Sequence, residues 1–241
     1  MPAYDAVVIK LNNGLSRGTN VDMDDTTFQA KNVRLKHLLV NAYGIREGLM
    51  FGLPAWADSL RYDIYAKVTD PDLKTLRGLS REQRMAMLVP ILTDRFHLKV
   101  HTEVKTLPVY ELVVAKDGPK LMPSAALPPD AADPDHLRLG NMNVHNTDMT
   151  ATGVTLSDLA GNLSFPLDRT VIDKTGLTGR YDFRLQWTAD NVVNGAADNS
   201  AADAPPNLFT AIQEQLGLKL QTAKGAVKTL VVDHVEQPTE N

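Results

Sequence analysis

The stretch RYDI, residues 61–64, returns as RYDF at residues 180–183. Both copies begin a run in which apolar and polar side chains alternate, RYDIYAKV in the first and RYDFRLQW in the second. Alternation with a period of two is typical of a β-strand with one buried face. Each run therefore predicts a strand whose tyrosine, Tyr62 or Tyr181, points into a core. The arginine and the aspartate share the outer face, where they can pair with each other or with a neighbouring strand.

The similarity extends to both sides of this tripeptide. Upstream, AKNVRLKHLL (30–39) matches ATGVTLSDLA (151–160), and each block predicts a short helix. Downstream, ILTDRFHLKVHTEVKTLPVYELVVA (91–115) matches IQEQLGLKLQTAKGAVKTLVVDHVE (212–236). Each downstream block predicts the end of an amphipathic helix followed by a β-hairpin. Three matched blocks in the same order indicate a tandem duplication.

The predicted fold class is α+β, with one strand-helix-strand-helix-hairpin unit present twice. We expect two small sheets, each with two helices, related by a pseudo-twofold axis. The first half is assigned to residues 1–122 and the second to residues 137–241, with a Pro/Ala/Asp-rich linker at 123–136. The stretch 188–206 has few apolar groups to bury and is predicted to be a loose loop. The seam between the halves is the expected place for a ligand groove.

Capping residues mark the starts of two predicted helices. Ser80 is followed by Gln83 at the spacing of a capping box, and Thr155 is followed by Asp158 at the same spacing. Pro90 lies inside the helix that starts after Ser80, and we expect it to kink or divide that helix.

The composition limits the function classes. The chain has 241 residues, of which 43% are hydrophobic, so it can bury a substantial core. A net charge of −4 argues against a general nucleic-acid-binding protein. There is no apolar run of about 18 residues, so we expect no membrane insertion. The absence of cysteine excludes disulfides and thiolate chemistry. The opening MPAYDAVVIKLN predicts a strand rather than a signal peptide, so we expect any leader to be absent from this chain.

Several blocks together resemble a known family. LPAWADSLRYDIYAK (53–67), VYELVVAKDGPKL (109–121), VIDKTGLTGRYDF (171–183) and VVDHVEQPTEN (231–241) are similar to a soil-associated family of uncharacterised proteins expanded in acidobacteria. The resemblance covers nearly the whole chain. It implies a periplasmic or secreted protein, because such proteins usually carry a leader. It implies no established activity and no catalytic residues.

The candidate catalytic residues are the charged groups of the repeat and one histidine. They are His101, Asp63, Arg61, Asp182 and Arg180. A site assembled from these groups at the seam would make the protein a hydrolase. His97 also lies near His101, but four residues of a strand span about 13 Å, too far for one shared ion. We therefore predict no metal site and no cofactor.

The candidate binding residues are an aromatic loop residue and two neighbours on the last predicted strand. Trp56 follows a Gly-Leu-Pro turn and could cap a pocket, although a contact with a small core is the commoner use. Asp233 and His234 are adjacent and should point to opposite faces of their strand, so they do not form a dyad with each other.

The tripeptide KTG at 174–176 matches a motif of penicillin-recognising serine enzymes. Those enzymes also need a Ser-x-x-Lys motif, which this chain lacks. The glycine more simply predicts a turn into the strand that begins at Arg180.

The sequence favours an extracytoplasmic binding or sensor module without catalysis of its own. Its partner is expected to be a small molecule or a protein rather than nucleic acid. The alternatives are a hydrolase with a site at the seam and a protein–protein interaction module that uses a free sheet edge. A seam pocket lined by convergent His, Asp or Glu side chains would favour the hydrolase.

Overall fold

The structure is a computed structural model that describes residues 2–14, 18–124, 140–188 and 205–238. The predicted linker at 123–136 and the predicted loop at 188–206 lie almost wholly outside the described residues.

Two long strands carry the chain between two compact units. Unit 1 comprises Met1–Lys105 and Lys228–Asn241, and unit 2 comprises Thr106–Val227. The chain passes from unit 1 to unit 2 within strand β6 (Lys99–Val114) and returns within strand β12 (Leu218–His234).

Unit 1 contains an antiparallel sheet covered by helices. The strands are β1 (Ala6–Leu11), β2 (Asn20–Met23), β3 (Thr27–Val33) and β5 (Tyr62–Lys67), in the order β1-β5-β3-β2. The other elements are α1 (Leu35–Tyr43), a 3-10 turn (Glu47–Leu49), β4 (Met50–Phe51), α2 (Trp56–Ser59), α3 (Leu73–Arg77), α4 (Arg81–Ala86) and α5 (Leu88–Arg95). The alternating apolar side chains of β3 and β5 are buried with the apolar face of α1 in one core.

Unit 2 contains a second antiparallel sheet. The strands are β7 (Met122–Pro123), β8 (Asn141–His145), β9 (Asp148–Val154) and β11 (Tyr181–Gln186), in the order β7-β11-β9-β8. The other elements are α6 (Leu156–Leu163), β10 (Val171–Asp173) and α7 (Leu208–Leu216). The leucines of α6 and α7 form a separate core with Leu185 and Trp187.

The prediction of two sheets with two helices each is wrong, because a third four-stranded sheet has the order β10-β6-β12-β4. Each expected hairpin is instead one continuous strand, β6 or β12. Neither run contains the Asn-Gly or Asp-Gly pair that favours a tight hairpin turn. Each long strand therefore pairs with the other instead of folding back on itself.

The two antiparallel sheets nevertheless share one strand order. Strands β1, β5, β3 and β2 correspond in position to β7, β11, β9 and β8. Helix α1 follows β3 as α6 follows β9, and the short strand β4 follows α1 as β10 follows α6. The matched blocks of sequence thus form matched elements.

The first Arg-Tyr-Asp copy lies beside an irregularity in the sheet of unit 1. The register of β3 against β5 shifts between Ala30 and Val33, where Asn32 has a left-handed φ of 56°. The Asp63 carboxylate accepts a hydrogen bond from the Asn32 backbone N–H at 2.8 Å and another from the Asn12 side-chain amide at 2.7 Å. The carboxylate therefore provides a partner for an amide that leaves the regular ladder.

The second copy makes the same contact in unit 2. Gly153 has a left-handed φ of 63°, and its backbone N–H donates to Asp182 Oδ1 at 2.7 Å. Arg180 Nη1 donates to the Gly153 carbonyl at 2.7 Å, so the tripeptide binds both polar groups of one residue. We call each Asp-to-amide contact the bulge clamp.

The tyrosines of the two copies differ in burial. Tyr62 is 2% exposed and its ring lies edge-on to Phe96, with centroids 5.4 Å apart. Tyr181 is only half-buried. The prediction of a core tyrosine is therefore confirmed for Tyr62 and only in part for Tyr181.

The predicted helix starts are confirmed. Both hydrogen bonds of a capping box are present between Ser80 and Gln83 and between Thr155 and Asp158. The helix that contains Pro90 is divided into α4 and α5, as expected. Pro90 lies in the first turn of α5, where its missing N–H removes no intrahelical hydrogen bond.

The turn between β2 and β3 is held by one carboxylate. Asp24 Oδ1 accepts hydrogen bonds from the backbone N–H groups of Thr26 and Thr27, both at 2.7 Å. Asp24 Oδ2 accepts a third from the Thr27 hydroxyl at 2.7 Å. The Thr27 hydroxyl bond, followed by the Thr26 backbone bond, lowers the pKa of Asp24 to about 2.

Removal of either bulge clamp should destabilise the protein. We expect Asp63→Ala and Asp182→Ala each to lower the free energy of unfolding by about 1.5–3 kcal/mol, the usual contribution of a hydrogen bond to a charged group. Asp63→Asn keeps an acceptor oxygen and should cost less. Urea unfolding followed by circular dichroism measures these values. If Asp63→Ala unfolded at the same urea concentration as the exposed-site control Asp70→Ala, the bulge clamp would not contribute to the free energy of unfolding.

The Asp24 turn should make stability depend on pH. The folded-state pKa of Asp24 lies below its ordinary value of 3.8. Its carboxylate therefore stabilises the fold above about pH 4, and this contribution is lost as the pH falls toward 2. We expect Asp24→Asn to melt below the parent near neutral pH, with the difference in Tm vanishing as the pH approaches 2. A difference that stayed constant over that range would contradict the assignment.

Candidate functional site

A cavity of about 370 Å³ lies in unit 2 at the start of α6. Its walls come from the first turn of α6 and from the segment between β10 and β11. The lining residues are Thr155, Leu156, Ser157, Asp173, Gly176, Leu177 and Thr178. We call this cavity the α6 pocket.

The helix side of the pocket is fixed by the capping box. The Thr155 hydroxyl accepts a hydrogen bond from the Asp158 N–H at 3.2 Å and donates to Asp158 Oδ2 at 2.7 Å. The next residues, Leu156 and Ser157, begin the helix, where backbone N–H groups have no intrahelical partner. This wall of the pocket therefore contains backbone N–H groups that can donate hydrogen bonds.

The turn side of the pocket is fixed by Asp173. Its Oδ1 accepts hydrogen bonds from the Thr175 N–H at 2.9 Å and from the Thr175 hydroxyl at 2.7 Å. Its Oδ2 accepts a longer bond, 3.3 Å, from the Ser157 hydroxyl. Gly176 has a φ of 71°, so the turn predicted from the KTG tripeptide is confirmed. One carboxylate thus joins the turn to the helix.

In unit 1 the corresponding place is filled by the chain itself. The connection from β4 to β5 contains α2, whereas the shorter connection from β10 to β11 contains no helix. Asp58 of α2 binds Arg34 Nη1 at 2.5 Å and lies 3.6 Å from Lys36 Nζ. In the matched blocks, Arg34 and Lys36 correspond to Thr155 and Ser157 of the pocket.

The α6 pocket is therefore the counterpart of a site that α2 covers in unit 1. Glu47 completes the charge network there, 3.0 Å from Lys36 Nζ and 3.7 Å from Arg34 Nη2. In the described part of unit 2, the connection from β10 to β11 has no helix, and Thr155 and Ser157 replace the two cations. The side chains of Ser157 and Asp173 consequently line a cavity in unit 2.

Residues 36–235 match the family described as a protein of unknown function, DUF3738. The chain belongs to the DUF3738 family. The match begins in α1 and ends after β12, so it includes the α6 pocket. It confirms the resemblance to a family of uncharacterised proteins. Comparison with curated proteins and with solved structures finds no match.

The DUF3738 fold brings together two residues that the sequence did not connect. His101 Nδ1 lies 2.9 Å from both carboxylate oxygens of Asp233, across the pairing of β6 with β12. The two side chains are 52% and 46% exposed. His234 instead binds Glu236, with 2.8 Å between Nε2 and Oε1. Asp233 and His234 therefore have different partners, as their opposite strand faces predict.

The other predicted site residues lie elsewhere. Asp63, Asp182 and Arg180 contact the backbone of residues at the bulges. Arg61 lies beside Asp63, and its carbonyl accepts a hydrogen bond from the Asn12 N–H at 2.8 Å. Trp56 begins α2 and packs against the core of unit 1. None of the predicted catalytic or binding residues is among the described residues that line the α6 pocket.

Two kinds of feature are absent from the described residues. In the described ranges, no group of three or more His, Asp or Glu side chains is placed to hold a metal ion. No helix in the same ranges is long and apolar enough to cross a membrane.

The pocket could have been predicted from a difference in length between the two copies. Opposite LPAWADSL (53–60) in the first copy, the second has only KTGLTG (174–179). A shorter connection between two matched elements leaves space where the first copy has packed side chains.

The exposed His101–Asp233 pair should contribute little to stability. We expect a double-mutant cycle of His101→Ala and Asp233→Ala to give a coupling free energy below about 1 kcal/mol, as for other solvent-exposed ion pairs. Urea unfolding measures the cycle, and His234→Ala with Glu236→Ala gives a matched exposed pair. A coupling near 3 kcal/mol would instead indicate a desolvated pair that the surrounding fold is built to hold.

Proposed function

We propose that this DUF3738 protein is an extracytoplasmic binding or sensor module without catalysis of its own, and that it binds a small molecule in the α6 pocket. The proposal rests on a difference between the two units. One position in a repeated framework is filled by α2 in unit 1 and is open in unit 2.

The shape and chemistry of the pocket fit a small ligand. Its volume of about 370 Å³ lies within the usual range for small-molecule sites. Leu177 supplies apolar surface, and Ser157, Thr178 and Asp173 supply polar groups that could orient a ligand. The capping box and the Asp173 turn hold both walls before a ligand arrives, which lowers the entropic cost of binding.

The extracytoplasmic location is supported by the resemblance to an exported family. That resemblance rests on blocks such as 53–67 and 171–183, and the second of these contains one wall of the pocket. A binding module outside the cytoplasm would meet small molecules from the surroundings of the cell.

The hydrolase alternative has one supporting observation. A carboxylate that holds an imidazole at hydrogen-bond distance, as Asp233 holds His101, is the arrangement that orients a general base. Asp63 and Asp182, which the hydrolase hypothesis also used, bind backbone amides instead. The observations therefore favour binding over hydrolysis.

A fragment screen tests the proposal directly. We expect neutral, cationic and anionic fragments, screened against the ¹⁵N-labelled chain, to include members that shift the amide signals of Leu156, Ser157, Gly176 and Thr178. Ser157→Trp should fill the pocket and abolish these shifts, whereas Thr222→Trp, at an exposed position of β12, should leave them unchanged. A screen in which no fragment shifts these amides, or in which Ser157→Trp changes nothing, would contradict the proposal.

A further inference from the structure

We infer that the ligand of the α6 pocket is uncharged and carries several hydroxyl groups, as a monosaccharide does. This inference rests on the proposed function and assigns the chemical class of its ligand.

An anionic ligand does not suit the lining. The corresponding place in unit 1 binds carboxylates because Arg34 and Lys36 are there, and Asp58 and Glu47 are their partners. The pocket has Thr155 and Ser157 at these two positions, and no basic residue is among its lining residues. Its one charged lining residue, Asp173, would repel a second carboxylate or a phosphate.

A cationic ligand is also disfavoured. The Asp173 carboxylate already accepts hydrogen bonds from the Thr175 N–H, the Thr175 hydroxyl and the Ser157 hydroxyl. The opposite wall is the amino end of α6, where the helix dipole and the N–H groups of the first turn place positive potential. One wall is negative at Asp173 and the other is positive at the start of α6. A charged ligand of either sign would therefore gain little electrostatic binding energy.

Hydroxyl groups match this mixture of donors and acceptors. A hydroxyl can donate to Asp173 and accept from Ser157 or from a backbone N–H of α6. The 3.3 Å hydrogen bond from Ser157 is the longest of these three bonds to Asp173. A ligand hydroxyl placed between Ser157 and Asp173 would therefore break only a weak hydrogen bond. The half-buried side chain of Leu177 could contact the C–H surface of a sugar ring. The volume of about 370 Å³ is at the low end for ligand sites, which favours one ring over an oligosaccharide.

A set of sugars that differ in charge but share one ring tests the inference. The ¹⁵N-labelled whole chain is titrated with glucose and N-acetylglucosamine, which are neutral, with glucosamine, which is cationic, and with glucuronate, which is anionic. We expect the neutral sugars to shift the amide signals of Ser157, Gly176 and Thr178, with a Kd at least about tenfold lower than for either charged sugar. The same spectra report whether each variant is folded.

Two variants separate hydrogen bonding from charge. Ser157→Ala removes one hydroxyl and should weaken binding of the neutral sugars about fivefold, the usual effect of one neutral hydrogen bond. Asp173→Asn removes the negative charge but keeps an acceptor oxygen, so the ratio of the glucuronate Kd to the glucose Kd should fall. Binding of a charged sugar as tight as that of its neutral analogue would overturn the ligand class and leave the pocket's binding role intact. Absence of any sugar-induced shift would also overturn the class, and the fragment screen would then decide the binding role separately.

Discussion

A carboxylate that binds the amide of one left-handed residue sets the corner between a strand and a helix in both units. Asp63 binds Asn32 and Asp182 binds Gly153, immediately before the chain turns into α1 or α6. At φ values of 56° and 63° these residues leave the regular ladder, and a buried N–H without a partner would be costly. The clamp removes this cost. It also fixes where each helix begins relative to its sheet.

The same corner supports two different outcomes. In unit 1 the N-cap and first turn of α1 carry Arg34 and Lys36, and α2 lies against them through Asp58. In unit 2 the first turn of α6 carries Thr155 and Ser157, and the short connection after β10 leaves the α6 pocket. A framework that keeps its strand order while one connection changes length is a common way to build a binding site on an existing fold. The proposed binding function therefore rests on this difference between the units more than on any single residue.

Local sequence predicted the local structure well and the long-range pairing poorly. The alternation around Tyr62 and the capping boxes at Ser80 and Thr155 depend only on neighbouring residues, and all three were predicted correctly. The alternating runs that became β6 and β12 read the same whether each folds back as a hairpin or pairs with a distant strand. The contact between His101 and Asp233 joins residues 132 positions apart, which no local pattern encodes. The α6 pocket was missed because it arises where the connection after β10 is shorter than its counterpart in the first copy and contains no helix.

Amide hydrogen exchange at Asn32 and Gly153 tests the clamp most directly, because it observes the two donated protons themselves. Both amides should exchange as slowly as those of the central strands β5 and β11. Asp182→Ala should accelerate exchange at Gly153 while the amide of Leu185 on β11 remains protected. Rapid exchange at Asn32 and Gly153 in the parent protein, or exchange at Gly153 that Asp182→Ala does not change, would show that the carboxylates do not hold these amides.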